Sequence, residues 1–275
     1  MTRFGQIIRE IRKNRRMTQK VLAKDICSQS VLSRIEQGEE IPNVLVMQRI
    51  CERLGIGVDR ILAYGKEDVK EIQDFFEVLW TYFRKKEWEL LRSTIEESKL
   101  TRQVVAMTDL QYIYAFSAFC SFYLENDYKQ TAELVEKALS HTYYEQKKHL
   151  SMIETVLLSL RGQVNYHLKQ IKKAENDFYV AMESIYHLPQ NSQTAELSIV
   201  FYHYGLYLFK IRQYSESEFQ IRQGMRWLRK HESTFFMEEF LQLFSLLCKT
   251  TNRKEEATVY QLLSEDLTRL RQFSI

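Results

Sequence analysis

In residues 3–15, Phe4, Ile7, Ile8 and Ile11 fall on one side of a helix, while Arg9, Arg12, Lys13, Arg15 and Arg16 load the opposite surface with positive charge. A second apolar run, Val21, Leu22, Ala23 and Ile26, follows Thr18, whose hydroxyl can cap the opening turn of its helix. The pattern breaks near Cys27. Ser28 caps a third stretch on which Val31, Leu32 and Ile35 point inward. On that stretch Gln29, Ser33 and Gln37 share one outward row, and Ser30 and Arg34 share the next. After Gly38 the segment EEIPN is a loop, and Asn43 caps a fourth helix expected to bury Leu45, Ile50 and Leu54 and to stop at Gly55. A short fifth helix, Val58–Tyr64, completes a head of residues 1–65, with the domain boundary at Gly65-Lys66.

Beyond the head the pattern repeats. Polar turn regions end at Trp88, Tyr128, Ile171, Tyr214 and Lys254, spaced by 40, 43, 43 and 40 residues. An aromatic-rich helix precedes each turn and a more charged amphipathic helix follows it. A fixed period of helix pairs means that no unit buries its own face and each must stack on its neighbours. In the third unit Gly162 supplies the small residue that its first helix needs, and Ala174, Phe178 and Ala181 follow at small/large/small spacing. The fourth unit keeps Gly205, Tyr214 and Gly224, and the second keeps Tyr128 and Ala138. Units one and five are degenerate, as end caps often are. A plain irregular helical bundle is the competing reading of residues 66–275.

Composition sharpens this picture in three places. Two prolines and eight glycines in 275 residues leave few helix breakers, so the chain is expected to be all-α. Net charge is only +3, but residues 1–64 carry twelve Lys/Arg against seven Asp/Glu, which leaves the remainder at −2. The basic surplus therefore lies with the head, as binding to phosphates requires. Cys27, Cys51, Cys120 and Cys248 are scattered, with no C-x-x-C and no close His partner, which argues against zinc or a disulfide framework and for a reducing cytosol. The N-terminus lacks an apolar signal core. Tyr112–Leu124, the nearest approach to an uncharged span, is too short to cross a membrane and reads as a buried helix.

A short helix that shows amides, hydroxyls and a guanidinium while burying aliphatics suits the major groove, where Arg takes guanine bidentately and Gln takes adenine. Gln29, Ser30, Ser33 and Arg34 are the candidate base readers. Thr18, Gln19, Lys20, Ser28, Gln37, Asn43, Arg9, Arg12 and Arg16 are the candidate phosphate contacts. The motif T-Q-x-x-L-A followed by S-x-S-x-x-S-R-I-E-x-G resembles the helix-turn-helix of the XRE/Cro-repressor class. Its departure is Cys27, where that class usually has glycine. Cysteine reaches a positive φ only at a cost, so the turn is expected to differ in detail.

The later units resemble tetratricopeptide repeats, lengthened from the usual ~34 residues. A five-helix XRE-type head followed by a right-handed tetratricopeptide-like superhelix of about five helix pairs is similar, as a whole, to the RRNPP family of bacterial regulators, nearest its Rgg/PlcR branch. That resemblance implies a cytoplasmic homodimer that binds a palindromic operator in promoter DNA and senses a short imported signalling peptide in the repeat groove. RNA polymerase is expected as a candidate further partner, and no cofactor, metal or membrane is expected. In such a superhelix the first helix of each pair lines the hollow. The lining computed from the turns gives Trp80, Arg84, Phe116, Tyr123, Gln163, Tyr166, Tyr202, His203, Phe209, Lys210 and Gln242 as peptide-binding candidates. Asn165, one step off that lining, joins them because a carboxamide can serve a peptide backbone as donor and acceptor at once. Aromatic pockets interspersed with amides and cations suit an extended peptide.

An enzyme is the different class to weigh. No G-x-x-x-x-G-K-[ST], H-E-x-x-H, G-x-S-x-G or G-x-G-x-x-G occurs, and the pairs Glu96-Glu97 and Glu238-Glu239 sit on charged helix faces. Two further alternatives stay open: a phage-type repressor whose tail only dimerises, and a repeat scaffold for a partner protein.

Overall fold

In the computed structural model, which describes residues 3–15, 17–55, 66–102, 104, 107–144, 147 and 149–273, the chain is helical, with no strand among those residues. It divides into two compact units, residues 1–77 and 78–275.

Four described helices make the head: α1 (Arg3–Asn14), α2 (Gln19–Ala23), α3 (Gln29–Gln37) and α4 (Val44–Arg53). The expected fifth helix, Val58–Tyr64, lies outside the described residues. Each predicted cap forms: the side chains of Thr18, Ser28 and Asn43 accept from the backbone N–H groups of Val21, Val31 and Val46. The core is a cluster of Ile8, Leu22, Ala23, Leu32, Ile35, Ile50, Cys51 and Leu54, with Ile7, Ile11, Ile26 and Val31 packed against it. Leu45 is not part of it: this residue, expected inside, is 68 % exposed, because α4 turns Val46, Met47 and Ile50 to its neighbours instead. Gly5 brings α1 so close to α3 that a methyl group there would collide with the Ile35 carbonyl.

The second unit is a stack of five helical hairpins. Their first helices are α5 (Lys66–Lys85, shared with the head unit along the chain), α7 (Met107–Cys120), α9 (Met152–His167), α11 (Ser198–Lys210) and α13 (Met237–Thr250). Their second helices are α6 (Trp88–Glu97), α8 (Tyr128–Ser140), α10 (Ile171–His187), α12 (Tyr214–Lys230) and α14 (Lys254–Phe273). Every second helix begins at the residue where the sequence ended its turn. Successive hairpins stack, α9 packing on α7, α8, α10 and α11. Helix α9 is buried on nearly all sides, as a helix at the centre of a stack must be.

The spacing of the third unit has the anticipated meaning. Ala174, Phe178 and Ala181 are fully buried, and the Phe178 ring lies where a Cβ on Gly162 would stand 2.8 Å from it. Between the fourth and fifth hairpins, Gly224 of α12 receives the Phe240 ring of α13.

All five hairpin turns share a backbone device. A non-glycine residue in left-handed conformation closes each first helix: Lys86 (φ 59°), Asn126 (53°), Lys169 (62°), Arg212 (66°) and Asn252 (63°). At Arg212 the N–H groups of Arg212 and Gln213 reach back to Phe209 O (3.0 Å) and Leu208 O (2.9 Å), the paired bonds of a Schellman cap. Lys86, Lys169 and Asn252 repeat that pattern. Side chains with a Cβ hold this conformation at a cost that glycine avoids, partly offset by glycine's looser unfolded chain. Arg212→Gly is therefore expected to stabilise the repeat unit by about 0.5–1 kcal/mol. Urea denaturation checks it, and a lower midpoint would show that the Arg212 side chain itself supports the turn.

Candidate nucleic-acid interface and the hollow of the repeat stack

The turn between α2 and α3 solves its geometry away from Cys27. Lys24 (φ −51°, ψ 128°) and the left-handed Asp25 (φ 60°) form a type II turn closed by Ile26 N–H to Ala23 O at 2.9 Å. The positive φ thus falls on aspartate, which tolerates it better than cysteine. Arg53 reaches over from the end of α4 and donates to the Lys24 and Leu22 carbonyls, fixing the turn. Gly38, left-handed at φ 77°, ends α3 with its own N–H on Ile35 O.

These constraints leave Gln29, Ser30 and Arg34 exposed and Ser33 half-buried along one side of α3. Arg34 is 55 % exposed and paired with Glu40 at 2.9 Å, a surface pair that a nucleic acid could exchange for its own acceptors at little cost. Thr18, Lys20, Ser28, Gln37, Asn43 and Arg9 are exposed around it. Arg16 lies outside the described residues.

Arg12, expected among the phosphate contacts, points inside. Its guanidinium donates to both oxygens of the buried Glu36 (2.6 and 2.8 Å) and to Met17 O (2.7 Å). Burial pushes the Glu36 carboxyl up, but the hydrogen bonds from Arg12 and Gln19 outweigh it and hold the group below its ordinary value. Gln19 donates to Glu36 at 2.9 Å and accepts from Gln29 at 2.8 Å. A chain of hydrogen bonds therefore runs from a buried ion pair to the first residue of the exposed row, and sets the rotamer of Gln29 before any ligand arrives. The basic run of α1 hid this link, because its partner lies 24 residues away on another helix.

In the repeat unit the candidates fall into three places. Trp80, Phe116, Tyr123, Tyr202 and His203 converge on one aromatic centre. Trp80 sits edge-on to Phe116 (5.0 Å between centroids), and the Arg84 guanidinium lies over its face at 5.3 Å while pairing with Glu196. Tyr123 stands on Ser121–Glu125, a π-helical turn that continues α7, and stacks on Trp88 at 4.9 Å. Its hydroxyl meets His203 Nε2 at 2.9 Å, Ser159 Oγ meets Nδ1 at 2.9 Å, and the Gln163 amide donates to the His203 carbonyl. His203 is wholly buried, and burial pushes its pKa down to about 3. Phe116, Gln163 and His203 are thus occupied inside the protein rather than displayed on an open lining.

Asn165 and Tyr166 belong elsewhere. Asn165 donates to Asp177 at 2.8 Å beside the Arg161–Asp177 pair, and Tyr166 packs edge-on to Tyr207 at 5.5 Å in the seam between the third and fourth hairpins. Phe209 rests on Tyr214, whereas Lys210 and Gln242 are exposed. The lining count missed Trp88, Lys86, Glu196, Phe235 and Phe236, all at or near the aromatic centre. Trp88, Phe235 and Phe236 are visible as aromatics in or next to connections, where helical periodicity assigns no direction.

Among the described residues no cluster of His, Cys, Asp or Glu could hold a metal ion, and no helix is long and apolar enough to cross a membrane. The four cysteines are free.

Comparison with known proteins adds two findings. The helix-turn-helix family (HTH_3) matches residues 8–61. Three solved structures share the fold over nearly the whole chain. Bacillus thuringiensis PlcR in complex with the peptide PapR7 and DNA is 18 % identical, covers 99 % of this chain and 98 % of its own, and superposes with a TM-score of 0.62. The competence regulator ComR of Streptococcus vestibularis in complex with its signalling peptide XIP is 16 % identical, with coverage of 98 % and 93 % and a TM-score of 0.64. ComR of S. thermophilus with DNA and its signalling peptide ComS is 16 % identical, with coverage of 98 % and 95 % and a TM-score of 0.55. No curated protein matches the chain.

Proposed function

We propose that the chain, which joins a helix-turn-helix domain to the helical-repeat fold of PlcR and ComR, is a DNA-binding transcriptional regulator of the RRNPP type whose repeat domain binds a short signalling peptide. Residues 1–65 read DNA. Residues 66–275 sense the peptide and pair two copies into a homodimer in the cytoplasm, with RNA polymerase as a further partner. The observation that carries the reading is the outward row of exposed Gln29, Ser30 and Arg34 with half-buried Ser33, on a helix whose first residue is tied back to the buried Arg12–Glu36 pair. A reader that must discriminate bases needs such preorganisation, because every side chain immobilised on binding costs affinity. The full coverage of PlcR and ComR, solved with peptides and DNA, supports the same reading for the tail. No catalytic step is assigned.

In this reading two α3 helices enter successive major grooves, so the two-fold symmetry of the dimer calls for a palindromic operator. Gln29, Ser30, Ser33 and Arg34 face base edges. Thr18, Gln19, Lys20, Ser28, Gln37, Asn43 and Arg9 hold the sugar–phosphate backbone. Arg12 acts from inside, by fixing Glu36 and through it Gln19. On binding, Arg34 trades Glu40 for a guanine.

Arg34→Ala is expected to weaken operator binding by about 1–3 kcal/mol while leaving binding to random DNA nearly unchanged. Gel-shift titration against both DNAs at fixed salt decides it. Equal losses on the two would reassign Arg34 to phosphate. Failure of the wild-type chain to prefer any duplex would sink the reading itself.

A further inference from the structure

In a solenoid each repeat touches its immediate neighbours. Here the first hairpin also touches the fifth. The Phe83 ring of α5 lies 5.5 Å from Phe235, and Lys86, in the first turn, pairs with Glu239 and lies 3.6 Å from Glu238 at the start of α13. The Lys86 ammonium also sits 5.7 Å from the centre of the Phe236 ring. From the second and fourth hairpins, Tyr123 and Tyr202 close on Phe236 at 6.1 and 5.3 Å.

All of these contacts converge on one stretch, Ser233–Thr234–Phe235–Phe236–Met237–Glu238–Glu239. It begins as the connection between α12 and α13, which needs only to turn the chain. Instead it sends two aromatic rings inward, leaving Phe235 and Phe236 just 5 % and 1 % exposed. Phe236 does so at φ 59°, a conformation that a bulky side chain rarely takes and that surrounding contacts must hold in place. Two adjacent aromatic side chains in an aromatic pocket, with carboxylates on a lysine beside them, are also what a short extended peptide would present to this hollow.

We propose that residues 233–239 are an internal stand-in for the ligand. They shut the hollow by tying the first hairpin to the fifth. The peptide that opens it carries two neighbouring aromatic or large aliphatic residues and a carboxylate, which take over Tyr123 and Tyr202 on one side and Lys86 on the other. The tie names the ligand class and the moving part of the peptide-sensing reading, and it rests on that reading.

The test uses the full-length chain and, as probe, the free heptapeptide Ser-Thr-Phe-Phe-Met-Glu-Glu. Calorimetry is expected to give F235A/F236A a dissociation constant at least tenfold below that of the wild type, whose own segment competes. Replacing both phenylalanines of the probe by alanine, or both glutamates by glutamine, is expected to cost at least tenfold on that variant. Independently, Lys86→Gln is expected to speed amide hydrogen exchange across 233–239 at least tenfold while leaving α9 and α10 unchanged. That measurement decides the matter alone if the double variant does not fold. Equal affinity for both proteins, a probe indifferent to its aromatics and acids, or unchanged exchange in Lys86→Gln overturns the tie. A probe that binds as expected yet leaves operator affinity unaltered keeps the tie and removes the peptide-sensing reading. A different peptide that alters operator affinity without speeding exchange at 233–239 does the reverse.

Discussion

Replacing Glu36 with alanine is expected to destabilise the head by about 3–5 kcal/mol, because it leaves the Arg12 guanidinium buried without its counter-charge. Denaturant unfolding checks the size of the effect. Replacing both members, Arg12→Met with Glu36→Met, should recover most of the loss, since an apolar pair of similar bulk carries no desolvation cost. If the double change is as damaging as the single one, the pair does more than neutralise itself. The pH dependence has a definite sign. The folded carboxyl titrates below its ordinary 4.5, so its contribution is intact above that value and is lost as pH falls through the lowered one. The damage extends to recognition, because Gln19 loses the acceptor that holds it against Gln29. A residue that never faces DNA should therefore change which sequence is preferred.

The second large effect is acid sensitivity of the repeat unit. Burial holds His203 neutral down to about pH 3, against an ordinary 6.5. Below 6.5 the unfolded chain takes up a proton that the folded one refuses, so stability falls as pH drops and levels off only near the folded value. The loss amounts to about 2 kcal/mol between pH 6.5 and 5, and roughly 3 kcal/mol by pH 4. His167 and His231, also lowered chiefly by burial, add in the same direction. The difference between wild type and His203→Gln therefore isolates the residue: that variant should show a shallower decline of thermal midpoint across this window. A wild-type slope that survives the substitution would place the titration elsewhere.

Much of this architecture is written in local signals. Thr18, Ser28 and Asn43 announce helix starts because a short hydroxyl or amide meets an orphan N–H within its own turn. The second helices begin at Trp88, Tyr128, Ile171, Tyr214 and Lys254 for an equally local reason, since each follows a Schellman-type or polar turn. What the sequence hides is pairing at a distance. Arg12 looks like part of a solvated basic face until Glu36 folds onto it. Leu45 looks like core because periodicity marks an apolar face without saying how much of it a neighbour covers. In the hollow, counting positions from each turn assumes uniform α-helix, and the π-helical turn at Ser121–Glu125 breaks that register just where Tyr123 reaches His203. Asn165 looks from the sequence like a carboxamide free to serve a peptide, but it is engaged with Asp177.

A row of hairpins with loose ends frays from its outermost members inward, losing one at a time. With Lys86 held by a carboxylate 153 residues further along, the first hairpin and the fifth are joined directly, and these outer members guard each other. Melting of such a tail is a single event rather than five, and a cut near its carboxyl end loosens its first hairpin.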